Sequence, residues 1–270
     1  MQKRSSRWSE RAFVAEGAEL IRCALDAGAP LESLYVAPDG TDDAAVHDVC
    51  RRAEAAGVRV FPLAAGVLER VADTVTPQPV LAVLPMLEEP AAGTDPWSAR
   101  PGALIVVLVD VRDPGNAGTV LRAADASGSA LVVYAGDSVD PYNPKTVRAS
   151  AGSLFHVPLA VRPDPHALAA ELSGAGFRTL ATVVRDGEDY AGFDWATPSA
   201  VFLGNESAGL DPALAATLSG PLGIPMAGRA ESLNVGVACA VVCFEAFRQR
   251  RCGGGAPRSI AGDAPDRSGD

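Results

Sequence analysis

The segment GPLGIPMAGRAESLNVGVACAVVCFEAFRQRR, Gly220–Arg251, decides the architecture. It opens as a short apolar strand, Leu222 to Pro225, and passes through a polar loop from Ala227 to Glu231. A long helix follows. Ser232 is read as its N-cap, because a serine hydroxyl can accept a backbone N–H that the first turn leaves unpaired. Leu233, Val237, Ala240, Val241 and Phe244 recur at three- and four-residue spacings and form the face expected to be buried. Arg248, Arg250 and Arg251 favour the negative end of the helix, and Gly253 to Gly255 stop it. A loop of small and polar residues between a strand and a helix N-terminus is also a place to hold a ligand's polar groups.

The surrounding chain has 270 residues, enough for one large or two modest domains. Apolar residues make up 48%, and Ala-rich helical runs alternate with short Val/Leu strands, so the expected class is α/β. Cys23, Cys50, Cys239, Cys243 and Cys252 show no disulfide spacing. Cys239 and Cys243 lie one turn apart with no histidine nearby, which reads as small buried hydrophobes and not as metal ligands. The N-terminus lacks an apolar leader, and runs such as Leu104 to Val109 are too short to span a bilayer, so a cytoplasmic protein is expected. A net charge of −10 excludes a general nucleic-acid coat. It leaves room for a local basic patch, and MQKRSSRWSER places Lys3, Arg4, Arg7 and Arg11 against Glu10 alone.

In chain order, strands are expected at Phe13–Ala15, Leu34–Ala37, Val58–Phe61 and Val80–Leu84. Helices are expected through Leu20–Leu25, Ala44–Ala56 and Leu63–Val71. Residues 1–85 then form a small α/β domain. Met86 to Gly102, with three prolines and two glycines, is a linker. A second α/β domain occupies 103–251, opening with the continuous apolar run ALIVVLV of a buried parallel strand. Asn143-Pro144 starts a helix carrying Lys145 and Arg148. Residues 252–270 are expected to be a disordered tail.

Three loops of the second domain carry the unusual residues, each after a strand: Asn116 with Arg122, Gly204-Asn205-Glu206, and Ser232-Leu233-Asn234. Ligands of parallel α/β sheets bind at that edge. Taken singly, Asn116 reads as a cap, Arg122 as a solvated helix face and Glu206 as a first-turn acid. Their joint occurrence at three strand ends reads as a site. Gly115 and Gly118 give GxxG and not the dinucleotide GxGxxG, which removes an NAD-dependent oxidoreductase; no Walker sequence or Ser-His-Asp order is present.

These blocks resemble the SpoU/TrmH family of RNA 2′-O-ribose methyltransferases, within the SPOUT class. PGNAGTVLRAADASG, FLGNESAGL and IPMAGRAESLNVGVACA match its three motifs in order, NPKTVRASAGSLF falls between them, and FVAEG with DTVTPQ is similar to the family's N-terminal substrate-binding domain. Gln78-Pro79 departs from the common Gln-Gly, and proline fixes φ and removes an N–H. The resemblance implies a small N-terminal α/β RNA substrate-binding domain followed by a SPOUT α/β domain with a parallel sheet and a C-terminal trefoil knot. It implies S-adenosylmethionine cradled around Leu203, Gly204, Ile224, Met226 and Leu233, and a catalytic region of Asn116, Arg122, Glu206, Ser232 and Asn234. It further implies a homodimer with the site at the subunit interface. RNA contacts are expected from Lys3, Arg4, Arg7, Arg11, Lys145 and Arg148, with no metal. The substrate expected is 23S rRNA, the alternatives being tRNA or a non-catalytic RNA-binding protein that kept the fold.

Overall fold

The computed structural model describes residues 3–71, 76–91 and 93–253. Two sheets organise them. The first runs β1 (Ala12–Glu16), β4 (Val80–Pro85), β2 (Ser33–Val36), β3 (Arg59–Pro62), with β2 and β3 parallel and the other pairings antiparallel. Helices α1 (Arg4–Glu10), α2 (Ala18–Asp26), α3 (Ala44–Ala55) and α4 (Leu68–Val71) belong to this half.

The second sheet is parallel throughout. Its strands are β5 (Leu104–Val109), β6 (Leu131–Ala135), β7 (Leu159–Arg162), β8 (Arg178–Val183), β9 (Glu188–Asp189), β10 (Ser199–Leu203) and β11 (Gly220–Gly223), in the order β7-β6-β5-β10-β8-β11-β9. Alternate residues of a strand face opposite sides. Leu104, Val106 and Leu108 therefore pack under α5 (Pro114–Ser127) and α9 (Val235–Gly253), while Ile105, Val107 and Val109 pack under α7 (Pro165–Gly174) and α8 (Pro212–Ala215). This two-sided burial explains the uninterrupted apolar run of β5. The chain returns from β11 through a loop into α9, which lies against α5, a path consistent with a trefoil knot.

One apolar cluster continues from Phe13 and Leu34 in the first half to Tyr142, Leu154 and Val106 in the second. Phe13 and Trp8 approach Tyr142 with ring centroids 4.9 and 6.5 Å away. Between them sits a buried ion pair: Arg7, 1% exposed, donates through Nε (2.8 Å) and Nη2 (2.5 Å) to Asp140 Oδ2. Arg148 on α6 (Pro144–Ala149) makes a second link, 3.3 Å from Glu16. Parts of the expected linker are docked too. Glu89 accepts from the Val161 N–H and from Arg162, closing the edge of β7, and buried Trp97 lies under the Arg162 guanidinium at 5.0 Å.

Several expectations change. The basic N-terminal stretch is a helix, α1, and Arg7 is withdrawn from the RNA contacts because its charge is buried against Asp140. The helix expected over 63–71 shortens to Leu68–Val71. In α9 the buried residues are Val235, Cys239, Val242, Cys243 and Ala246, whereas Val237 and Phe244 are each 47% exposed. The helix is apolar almost all round, so spacing alone could not say which stripe meets the sheet. α9 also runs to Gly253, past the boundary expected at 252. The remaining tail, and Asp73 to Val75 of DTVTPQ, lie outside the described residues. Pro79 fits its turn: its carbonyl accepts from the Ala37 N–H at 2.8 Å, and its ring lies where a Cβ on Gly40 would stand.

Candidate active site

The site is built at the C-terminal edge of the second sheet, where β5, β10 and β11 deliver their loops. After β5 the backbone turns through Asp110 at φ 55°. Asp110 Oδ1 accepts from the Asp137 N–H at 2.7 Å, and its carbonyl accepts from Asn205 Nδ2 at 2.8 Å, so one residue ties the ends of β5, β6 and β10 together. Asp113 then caps α5, accepting from the Asn116 N–H at 2.7 Å, with Pro114 at the first helical position.

After β10 a tight loop closes between Asn205 and Gly209. Asn205 Oδ1 accepts from the N–H groups of Ser207 and Ala208. A side chain at Gly204 would overlap the backbone of Gly209 and Leu210, so only glycine permits this fold-back. The loop aims Glu206 at the N-terminus of α5, where unpaired N–H groups favour an anion. Its Oε1 accepts from Asn116 Nδ2 (2.9 Å) and the Asp113 N–H (3.2 Å), and its Oε2 from the Arg112 N–H (3.4 Å). Burial by itself raises the Glu206 carboxyl, but these hydrogen bonds outweigh it and hold the group below the ordinary carboxylate range.

The third loop completes the chain. Asn234 Nδ2 donates to Asn116 Oδ1 at 2.8 Å, and Asn234 Oδ1 accepts from the N–H groups of Gly236 and Val237. Asn234, and not Ser232, is therefore the cap of α9, because the helix begins two residues later than the sequence pattern implied. Glu206–Asn116–Asn234 thus forms one hydrogen-bonded line across all three loops. Beside it opens a cleft of about 510 Å³. Leu203, Gly204, Ile224, Met226 and Leu233 line it together with Glu206, Ser232 and Asn234. Thr182 to Val184, Ala238 and Val242 line it as well and had no distinguishing mark in the sequence. Asp113-Pro114 did carry a mark, the same cap-then-proline pattern read at Asn143-Pro144.

Arg122 stands apart. Six residues beyond Asn116, it lies about 120° round the helix, exposed on the same outer strip of α5 as Thr119. Thr119 packs against Gly236, so this strip adjoins the exposed apolar stripe of α9. Lys145 is exposed on α6, its N–H bonded to the Asn143 cap, and Lys3, Arg4 and Arg11 are exposed on or beside α1.

A parallel sheet with a folded-back C-terminal helix and a ligand cleft formed by three strand-end loops defines a SPOUT-class protein. Residues 103–244 match the SpoU rRNA Methylase family, and residues 1–82 match the MRM3-like substrate binding domain. The chain belongs to the SpoU rRNA Methylase family. It is 38% identical over 189 residues to the 23S rRNA (guanosine(2553)-2′-O)-methyltransferase RlmP of Bacillus subtilis, a match covering 70% of this chain and 72% of that one. It is 39% identical over 150 residues to a tRNA (guanosine(18)-2′-O)-methyltransferase of Thermus thermophilus, covering 54% and 75%. Its fold matches an AdoMet-bound rRNA methyltransferase from Sinorhizobium meliloti with a TM-score of 0.78 at 32% identity, over 92% of this chain and 91% of the other.

Proposed function

We propose that this protein transfers the methyl group of S-adenosylmethionine to a ribose 2′-OH of structured RNA, with 23S rRNA as the substrate. The observation that carries the reading is the Glu206–Asn116–Asn234 line bordering a cleft of ligand size. The cleft fits the cofactor's chemistry. Apolar Leu203, Ile224, Met226 and Leu233 suit an adenine and the methylene groups beside the sulfonium, while the polar loop backbone around Gly204 and Ser232 suits ribose and carboxylate groups. Bound there, S-adenosylmethionine supplies an intrinsically electrophilic methyl, so the protein's part is chiefly positioning.

Glu206 is a positioning group in this scheme and not the base. A carboxylate that accepts several hydrogen bonds, and is held below its usual range, is a weak proton acceptor at neutral pH. It fixes Asn116, and Asn116 fixes Asn234. Arg122, whose planar guanidinium presents a fork of N–H donors, is the clamp on the RNA phosphate and on the reacting oxygen. Proton removal is left to water or to the phosphate beside the ribose.

Two further parts belong to this proposal. The exposed stripe of Val237 and Phe244 is covered by a second copy of the chain, which brings the Arg122 strip to the composite site. The RNA contacts are Lys3, Arg4, Arg11 and Lys145, with Arg148 shared between RNA and Glu16. An RNA-modifying enzyme of this kind works in the cytoplasm. A tRNA substrate is the second reading, favoured by the match to the Thermus enzyme, though that match spans just over half of the chain.

The direct test is mass-spectrometric mapping of 2′-O-methyl nucleotides in rRNA and tRNA from cells with and without the gene. A site lost from 23S rRNA on deletion and restored by the gene is expected; identical maps would refute the reading. Calorimetry on purified protein should show S-adenosylmethionine binding, abolished by Leu233→Arg, which fills the cleft.

A further inference from the structure

Among the described residues, one side of the first sheet is covered only in part. Residues directly opposite one another on paired strands share a face. One face of this sheet presents Val14, Val83, Tyr35 and Phe61, while Phe13, Leu84, Leu34 and Val60 turn to the other side, where α2 and α3 cover them. Leu68 of α4, with Leu63, packs over Leu81, Val14, Val83 and Tyr35, so among the described residues this face is covered as far as Tyr35. Phe61, on the edge strand β3 and paired in register with half-buried Tyr35 on β2, stands outside that cover.

Their rings stack with centroids 5.4 Å apart and planes 22° from parallel, and Phe61 is 39% exposed. Arg59, two residues earlier on β3, falls on the same face by strand alternation and is exposed. Exposed Glu69 and Arg70 on α4 cancel in formal charge. An exposed ring backed by a second ring, with a neighbouring arginine, matches the chemistry of single-stranded nucleic acid. The rings offer a surface for a base, and the guanidinium a partner for the next phosphate. In a chain of net charge −10, a contact of this kind gains affinity without requiring many cations.

We propose that Tyr35 and Phe61 form a stacking platform for an unpaired base of the RNA substrate, with Arg59 holding the adjacent phosphate. This rests on the RNA methyltransferase reading and locates part of substrate recognition on the first sheet, remote in sequence from the cofactor cleft. Stacking on a ring tolerates any base, so the platform orients a loop or bulge and does not read its sequence.

The test uses the full-length protein and two probes, in vitro transcribed 23S rRNA and bulk tRNA, with binding measured across a salt series. Phe61→Leu keeps apolar bulk but removes the ring. It should weaken binding to the preferred RNA by roughly fivefold or more, the low end for loss of one base–aromatic stack, with an unchanged salt slope. Phe61→Trp should retain affinity. Arg59→Gln should lower the slope by about one phosphate contact, ~0.7–0.9. Calorimetric affinity for S-adenosylmethionine should be unaltered in all three. Parent-like RNA binding by Phe61→Leu would overturn the platform alone. The same result accompanied by a change in oligomeric state would overturn it and mark the face as a protein contact. A parent protein that binds neither RNA would overturn the platform together with the functional reading beneath it.

Discussion

The two sheets solve different problems. The seven-stranded sheet is covered on both faces, and every residue of β5, β6 and β10 is buried. It can present chemistry only at the ends of its strands, where Asn116, Glu206 and Asn234 meet. Among the described residues, the four-stranded sheet is covered fully on one face and in part on the other, and its edge strand β3 has exposed Arg59, Phe61 and Pro62. It presents side chains across a surface. Strand-end loops held by hydrogen bonds can place reacting groups with the accuracy that chemistry needs, whereas an open face can hold a large, adaptable partner such as RNA. Division of labour therefore follows from how each sheet is buried.

The largest expected effect tests whether the two halves are one body. Arg7→Ala leaves Asp140 buried without its partner, and breaking such a pair costs about 3–5 kcal/mol. Because the apolar cluster runs through both halves, thermal unfolding should stay a single transition at a lower midpoint. Two separated transitions in calorimetry would show that the sheets fold as independent units.

A second experiment asks whether Arg122 works by geometry or by charge. Arg122→Lys keeps the charge but loses the planar fork, and methyl transfer should drop on the order of 10²-fold with cofactor affinity intact. Near-parental turnover by the Lys variant would leave charge alone as its contribution. Near-parental turnover by Arg122→Ala would return it to the solvated surface.

Acid titration probes the strand-end loops specifically. The folded pKa of Glu206 lies below its unfolded value, so its stabilising contribution is complete above the ordinary glutamate value of about 4.3 and is lost as pH falls through the folded pKa. Glu206→Gln cannot accept fully from Arg112, Asp113 and Asn116, so the variant should be less stable at neutral pH. Its stability should also fall less steeply on the acid side. Parallel stability–pH curves for parent and variant would remove Glu206 from the acid limb.

The smallest effect concerns the first half. Neutralising Lys3, Arg4 and Arg11 together should lower the salt slope of RNA binding by at most about 2–3, with cofactor affinity unchanged. An unchanged slope would shift the electrostatic footprint to Lys145 and the Arg59 face.

Much of this was legible before any coordinates. The uninterrupted run at β5, the cap-then-proline at Asn143-Pro144 and the three polar loops after strands depend on local periodicity and backbone chemistry, which residues carry with them. The resemblance to the SpoU/TrmH motifs pointed to Leu203, Gly204, Ile224, Met226 and Leu233, all of which line the cleft. What it could not decide were matters of who packs against whom. Arg7 reads as a surface charge until Asp140, 133 residues away, closes over it. The helix of α9 is apolar on several sides, and only the position of β5 and β10 selects Val235, Cys239 and Val242 over Val237 and Phe244. Ser232 and Asn234 are equally good caps in isolation; the bond from Asn234 to Asn116, 118 residues away, gave the role to Asn234. Local propensity is a property of a few neighbouring residues. Burial, ion pairing and the choice between equivalent caps are set by partners distant in the chain, and those exist only once the chain has folded.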